Sequence, residues 1–229
     1  MKADTFARLV ILETLVEAEI GYFLEHHPPS SERFREGLVA RVSDLVDEID
    51  ALDAVAAARA YDSIVDFLAE LPDDDAGMVE ATVRFKTAIQ RTADRAMDER
   101  EAQQSSTWAV VLDDLLTVLA DEYHDAVRAD GEVRPREYRR ALGLLQRARL
   151  AAERVTLREP PEVRAELRGE MDRLGYAVAD RRLRAVDVDV ILRGPQRIAR
   201  RYRPSPLTRI GAFVISQLLR RRARGTQTP

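Results

Sequence analysis

The 229-residue sequence predicts an all-α protein, an antiparallel multi-helix bundle followed by a smaller arginine-rich helical part, and three observations carry that prediction. Ala, Leu, Arg and Glu abound, while glycine and proline number only 10 each, and straight-chain residues and Ala lose little freedom in a helix. Apolar residues recur at steps of three and four over most of the length. Stops such as His26-His27-Pro28-Pro29 and Glu159-Pro160-Pro161 fall between those runs. With 45% apolar residues the chain can bury a sizeable core.

The first run, about Thr5 to His26, carries Phe6, Leu9, Val10, Leu12, Val16, Ile20, Phe23 and Leu24 at helical spacing and predicts a long, well-buried helix. Ser30 or Ser31 offers a cap for a second, in which Leu38, Val42, Leu45, Ile49 and Leu52 alternate at four and three as in a coiled-coil seam. That seam pairs either within the chain or across a homodimer. It loses phase after Leu52 and resumes with Tyr61, Ile64, Val65, Leu68 and Leu71, so Asp53 caps a third helix or marks a bend. Pro72 to Gly77 reads as a solvated turn. A fourth helix, Met78 to Gln103, places Val79, Val83, Ile89, Ala93 and Met97 on one face.

Ser105, Ser106 and Thr107 offer caps for a fifth helix with a wide face of Trp108, Val111, Leu112, Leu115, Leu116, Leu119 and Tyr123, closed by Asp130-Gly131. Pro135 sits where a first helical turn tolerates it, and Tyr138, Leu142, Leu145 and Leu150 follow in a sixth helix studded with arginine. A seventh, Glu162 to Arg184, has the stripe Val163, Leu167, Met171, Leu174 and Val178. Residues 186–192 alternate like a strand but have no mate nearby, and read as a short helix entered at Asp187 or Asp189; Pro195 and Pro206 each open a further helical turn. The expected organisation is an acidic-to-mixed bundle over 1–157 and a basic helical segment over 161–229.

Charge is sorted along the chain. Residues 1–130 hold 29 acids and 12 bases, a net of −17, whereas residues 131–229 hold 11 acids and 24 arginines, a net of +13. Such opposed halves imply an acidic or basic partner, or one half embracing the other. Only Lys2 and Lys86 are lysine among 36 basic residues, a bias that lessens what any one arginine signifies. There is no cysteine, so disulfides, thiolate metal sites and cysteine nucleophiles are excluded. The acids at Asp4, Glu13, Glu17 and Glu19 fit neither a signal peptide nor a membrane span, and the expected location is the cytoplasm, peripheral to a membrane if the basic segment attaches there.

Chemistry-bearing constellations are sparse. Glu13 and Glu17 are one turn apart, Glu25 precedes His26, and Asp121 lies three before His124. A carboxylate-bridged metal enzyme of the bundle type needs a carboxylate from each of four helices and two Glu-x-x-His triplets, and no such triplet occurs. No metal and no cofactor is therefore expected. No nucleophile elbow, phosphate-cradling glycine loop or His-Glu-x-x-His motif is present, and Asp130 to Glu137 lacks the acids of a calcium loop. The sequence gives no positive sign of catalysis and no catalytic residue.

Two basic segments remain. In the sixth helix Arg136, Arg140 and Arg147 form a solvated face or lie against the acidic helices, the two forms of one reading, or touch nucleic acid, and with only Tyr138 among them base stacking is not indicated. In the C-terminal segment the ten uncharged residues from Ile210 to Leu219 are bracketed by Arg209 and by Arg220, Arg221, Arg222 and Arg224. As a helix, Leu207, Ile210, Val214, Ile215 and Leu218 share one face. It is too short to span a bilayer, and it suits an anionic headgroup layer, a partner's groove or its own core. At about 1 kcal/mol per arginine the five would supply about 5 kcal/mol at an anionic leaflet, and Phe213 adds apolar burial. Duplex nucleic acid has no use for the neutral run. The expected function is that of a non-enzymatic helical interaction or regulatory protein whose contact residues are Arg209, Phe213, Arg220, Arg221, Arg222 and Arg224, facing an anionic membrane surface or an acidic protein partner. A helical nucleic-acid-binding regulator is the alternative.

Overall fold

The computed structural model describes residues 2–26, 31–69, 75–128, 131–180 and 184–203. Within them the fold is all-α: α1 (Lys2–His26), α2 (Ser31–Leu52), α3 (Ala54–Ala69), α4 (Asp75–Ala96), the single turn α5 (Glu99–Ala102), α6 (Ser105–Ala126), α7 (Pro135–Val155), α8 (Pro161–Ala179) and α9 (Ala185–Tyr202). The sole β-type pairing among the described residues is an isolated bridge between Val127 and Val133. Leu71, Pro72 and Pro206, and the whole contact segment from Arg209 to Arg224, lie outside the described residues.

Helix α1 is the axis of the molecule. Every residue from Leu9 to Val16 is buried, and the helix packs against α2, α4, α6 and α7. A helix apolar on all sides can be satisfied only from all sides. Helices α4 and α7 run antiparallel to it: Lys86 of α4 reaches Glu17, while Arg139 and Arg147 of α7 reach Glu25 and Glu13. Helix α6 runs parallel to it, with Phe6 against Trp108 at one end and Glu19 and Glu122 joined through Arg140 at the other. At Gly143 an added Cβ would sit 3.2 Å from the Ala18 methyl, so the glycine permits the close approach of α7 to α1. Helices α8 and α9 pack on α7 and α6, and Leu167, Leu174, Val188 and Ile198 join the same continuous core.

Several boundaries differ from the sequence reading. Asp53 caps α3, its Oδ1 accepting from the amides of Val55 and Ala56, so the break after Leu52 is a true helix start. Asp75 to Gly77 belong to α4, not to a turn. The fourth run divides at Met97, and Asp98 caps the short α5 by accepting from Glu101 N at 2.8 Å. None of Ser105, Ser106 and Thr107 caps α6; Gln104 holds that place, and Thr107 instead donates to Glu101 O. Helix α6 stops at Ala126, and the chain turns through Gly131, whose φ of +85° suits glycine. Residues 186–192 are helical, as read, but within an 18-residue α9 that continues through Pro195 instead of ending before it. Pro195 forgoes one backbone bond there.

Two stripes are right in part: Ile64 of α3, and Ile89, Ala93 and Met97 of the fourth run, are buried as read. Tyr61 and Val65 on α3, and Val79 and Val83 on α4, are exposed. The inward residues are Ala56, Ala57, Ala60, Ile64 and Phe67 on α3, and Met78, Ala81, Phe85, Ile89 and Ala93 on α4, with the Phe67 and Phe85 rings 5.6 Å apart. On α7, Leu150 is likewise exposed while Leu144, Ala148 and Ala151 face inward.

Ile49 is fully buried on the α2 seam and Val83 is 59% exposed. Ile49→Ala should therefore cost about 2 to 5 kcal/mol in urea unfolding by removing atoms and leaving a cavity. Val83→Ser should stay within about 0.5 kcal/mol. Equal losses at the two positions would reverse the assignment of their faces.

Candidate functional site

Four arginines of α7, Arg136, Arg139, Arg140 and Arg147, face carboxylates of the acidic half. Glu19 of α1 and Glu122 of α6 are fully buried, and the largely buried Arg140 lies between them. Its Nε donates to Glu122 Oε2 at 2.6 Å and its Nη1 donates to Glu19 Oε1. Arg136, one turn earlier, donates from Nε to Glu19 Oε2 at 2.7 Å. Glu137 flanks Arg140 at 3.7 Å. Burial works against the Arg140 charge, but Glu122 and Glu19 more than offset it and its pKa is raised. Two turns on, Arg147 Nη2 donates to Glu13 Oε2 at 3.3 Å. Burial pushes the Glu13 carboxyl above its ordinary pKa, opposed in part by Arg147 and Lys86.

Of the residues named for nucleic-acid contact, Arg136, Arg140 and Arg147 are therefore all engaged by carboxylates within the bundle. Freeing Arg140 for a phosphate would take a charged donor from two fully buried acids, Glu19 and Glu122. The exposed arginines on this side are others, such as Arg154, whose guanidinium lies 5.9 Å from the Trp108 ring. Trp108 Nε1 donates to Ala102 O, tying α6 to α5. Between α1, α4 and α7 a cleft of about 540 Å³ is lined by Phe6, Glu13, Ile89, Trp108, Arg147 and Leu150.

A second charged node fixes the end of α9. Arg203 donates to Asp113 Oδ2 at 2.7 Å and to Asp114 Oδ1 at 3.1 Å, and Arg200 adds a longer contact to Asp113. Asp114 also lies 3.9 Å from Arg8, whose Nε is paired with Glu48 of α2 at 2.8 Å. Burial raises the Asp114 pKa against the opposing pull of Arg8 and Arg203. The chain thus enters residues 204–229 beside α6, α1 and α2.

The residues weighed as metal ligands do not converge. Glu17 pairs with Lys86, Glu25 with Arg139, His26 stacks on Tyr22, and Asp121 and His124 are exposed. Among the described residues no group of three or more His, Asp or Glu side chains is placed to hold a metal ion, and no helix is long and apolar enough to cross a membrane. Sequence reasoning missed Glu19 and Glu122 as partners of the arginines. The available signal was their position: each continues an apolar four-and-three stripe, Leu12-Val16-Glu19 and Leu115-Leu119-Glu122.

No family model matches the chain, and neither a curated protein nor a solved structure is significantly similar to it.

Glu13 and Asp114 have raised carboxyl pKa values in the folded chain, so the folded state takes up their protons before the unfolded state does. Their contribution to stability is complete below the unfolded carboxylate pKa of about 4 and is lost as pH rises through the higher folded values. In chemical unfolding across mildly acidic pH, Glu13→Gln and Asp114→Asn should each flatten that slope relative to the parent. Parallel pH profiles for parent and variants would contradict the assignment.

Proposed function

We propose that this is a non-enzymatic helical protein that attaches reversibly to anionic membrane surface through its arginine-rich C-terminal segment. The observation that carries the reading is the division of the arginines. Arg136, Arg139, Arg140 and Arg147 of α7 and Arg200 and Arg203 at the end of α9 meet carboxylates of α1 and α6. The 26 residues from 204 to 229 hold five arginines, no acid and the neutral run Ile210 to Leu219. A cationic stretch with its own apolar face matches an anionic headgroup layer, where charge attraction and shallow apolar burial add. An acidic protein partner is the competing source of the same contact. Duplex nucleic acid fits less well, because three of the α7 arginines are held inside the bundle.

Co-sedimentation with vesicles of phosphatidylcholine and phosphatidylserine tests this. The full chain should pellet with them, not with phosphatidylcholine alone, and less so as salt rises. Phe213→Glu should abolish binding while every arginine remains, because it places a charge in the apolar face. Failure of the full chain to bind at low salt would overturn the proposal. Binding unchanged by Phe213→Glu would show charge attraction without insertion and overturn the role given to the apolar face.

A further inference from the structure

We infer that the solvent face of the α2–α3 corner is a docking surface for this chain's own segment 204–229, an inference that rests on the contact role proposed above for that segment. The face mixes exposed apolar residues with acids: Val55, Tyr61 and Val65 of α3 are 60%, 59% and 43% exposed. Around them residues 44–66 hold seven acids against the single base Arg59. Asp53 serves as the cap of α3 and Glu48 is paired with Arg8. Among the described residues Asp44, Asp47, Asp50, Asp62 and Asp66 have no ion-pair partner, whereas the acids of α1 facing α7 are paired.

The occupant follows from charge and from where the described chain ends. Segment 204–229 has the complementary composition: a net of +5 with no acid, and Leu207, Ile210, Phe213, Val214 and Leu218 among its apolar residues. It begins immediately after Arg203, which binds Asp114. Asp114 is linked through Arg8 to Glu48, and Glu48 is one turn from Asp44 on α2. Arg8 and Glu13, which lines the cleft, are five residues apart on α1, hence about 140° apart around it at about 100° per residue. The cleft beside α4 and α7 accordingly lies on the far side from this exit, and the α2–α3 corner lies on the near side. With 26 residues at up to about 3.3 Å each, the segment reaches any point of the corner.

Docking there sets the acidic face in competition with an anionic membrane for the same arginines. The segment's apparent membrane affinity is then reduced by the fraction of time it is undocked. Neutralising the corner with Asp44→Asn, Asp47→Asn, Asp62→Asn and Asp66→Asn together should release it. If the segment is undocked about a tenth of the time, apparent affinity for phosphatidylserine vesicles rises on the order of tenfold.

Because the chain has no cysteine, two spin labels can be placed without background. In the full chain, pulsed electron resonance should give a shorter distance from Ser216→Cys to Ala58→Cys on α3 than to Gln90→Cys on α4. That short distance should lengthen in the four-Asn variant and on adding phosphatidylserine vesicles, with the helical circular-dichroism spectrum unchanged. Ser216→Cys nearer to Gln90→Cys, or a four-Asn variant with unaltered distances, overturns the inference whatever the vesicle result. A short distance seen only between singly labelled chains mixed together assigns the face to a second copy and overturns the in-chain form. Vesicle binding of the parent equal to that of the four-Asn variant removes the competition, and absence of vesicle binding with the short distance intact retains the docking and rejects the membrane.

Discussion

The structure depends on Arg140. Two carboxylates, Glu19 and Glu122, are fully buried between α1, α6 and α7, and one guanidinium joins them, with Arg136 as second donor to Glu19. A planar, permanently charged fork can serve two acids at once from one side chain, which an ammonium would do with less defined geometry. The net contribution of such a cluster to stability is modest, because desolvation offsets most of the attraction. Its larger effect is on register. If α7 slid along α1, Arg140 would leave its place between Glu19 and Glu122, and Arg147 would leave Glu13.

This arrangement accounts for the sorting of charge along the chain. The acidic helices come first and the arginine helix returns antiparallel against α1, so pairs far apart in sequence meet, such as Glu19 with Arg140 and Asp113 with Arg203. One half embraces the other along two lines: α7 on α1 and α6, and the end of α9 on α6. What this pairing leaves over includes acids on the outside of α2 and α3 and the arginines of 204–229. That remainder is the physical basis for both the proposed membrane contact and the proposed docking face.

Much of the fold was legible from the residues. The all-α class, the long buried α1, the seam of α2 and the stripe of α8 from Leu167 to Val178 follow from spacing, since each has large aliphatics at inward positions. On α3 the choice of Tyr61 and Val65 missed an inward face that includes Ala56, Ala57, Ala60 and Phe67, and on α4 Val79 and Val83 stood in for Met78, Ala81 and Phe85. The valines and the tyrosine lie on the outside, and the stripe drawn through them passed over Phe67 and Phe85. Close helix packing rewards small residues that a hydrophobicity pattern barely registers. The charged cluster was half legible. That the arginines of α7 lie against acidic helices was one of two readings, but which acids they meet depends on tertiary register that local spacing does not encode.

A double-mutant cycle on Glu19→Gln and Arg140→Met, read by urea unfolding, tests the central claim most directly. Residues joined in one buried network couple by about 0.5 to 3 kcal/mol, and Arg140 should lie in the upper half of that range with Glu19. Each single change should be costly, with Arg140→Met the larger because it leaves Glu122 without this donor as well. A coupling energy below about 0.3 kcal/mol, with single losses in the ordinary surface range, would contradict the account. It would mean that the Glu19–Arg140 pair does not help to hold α7 on α1.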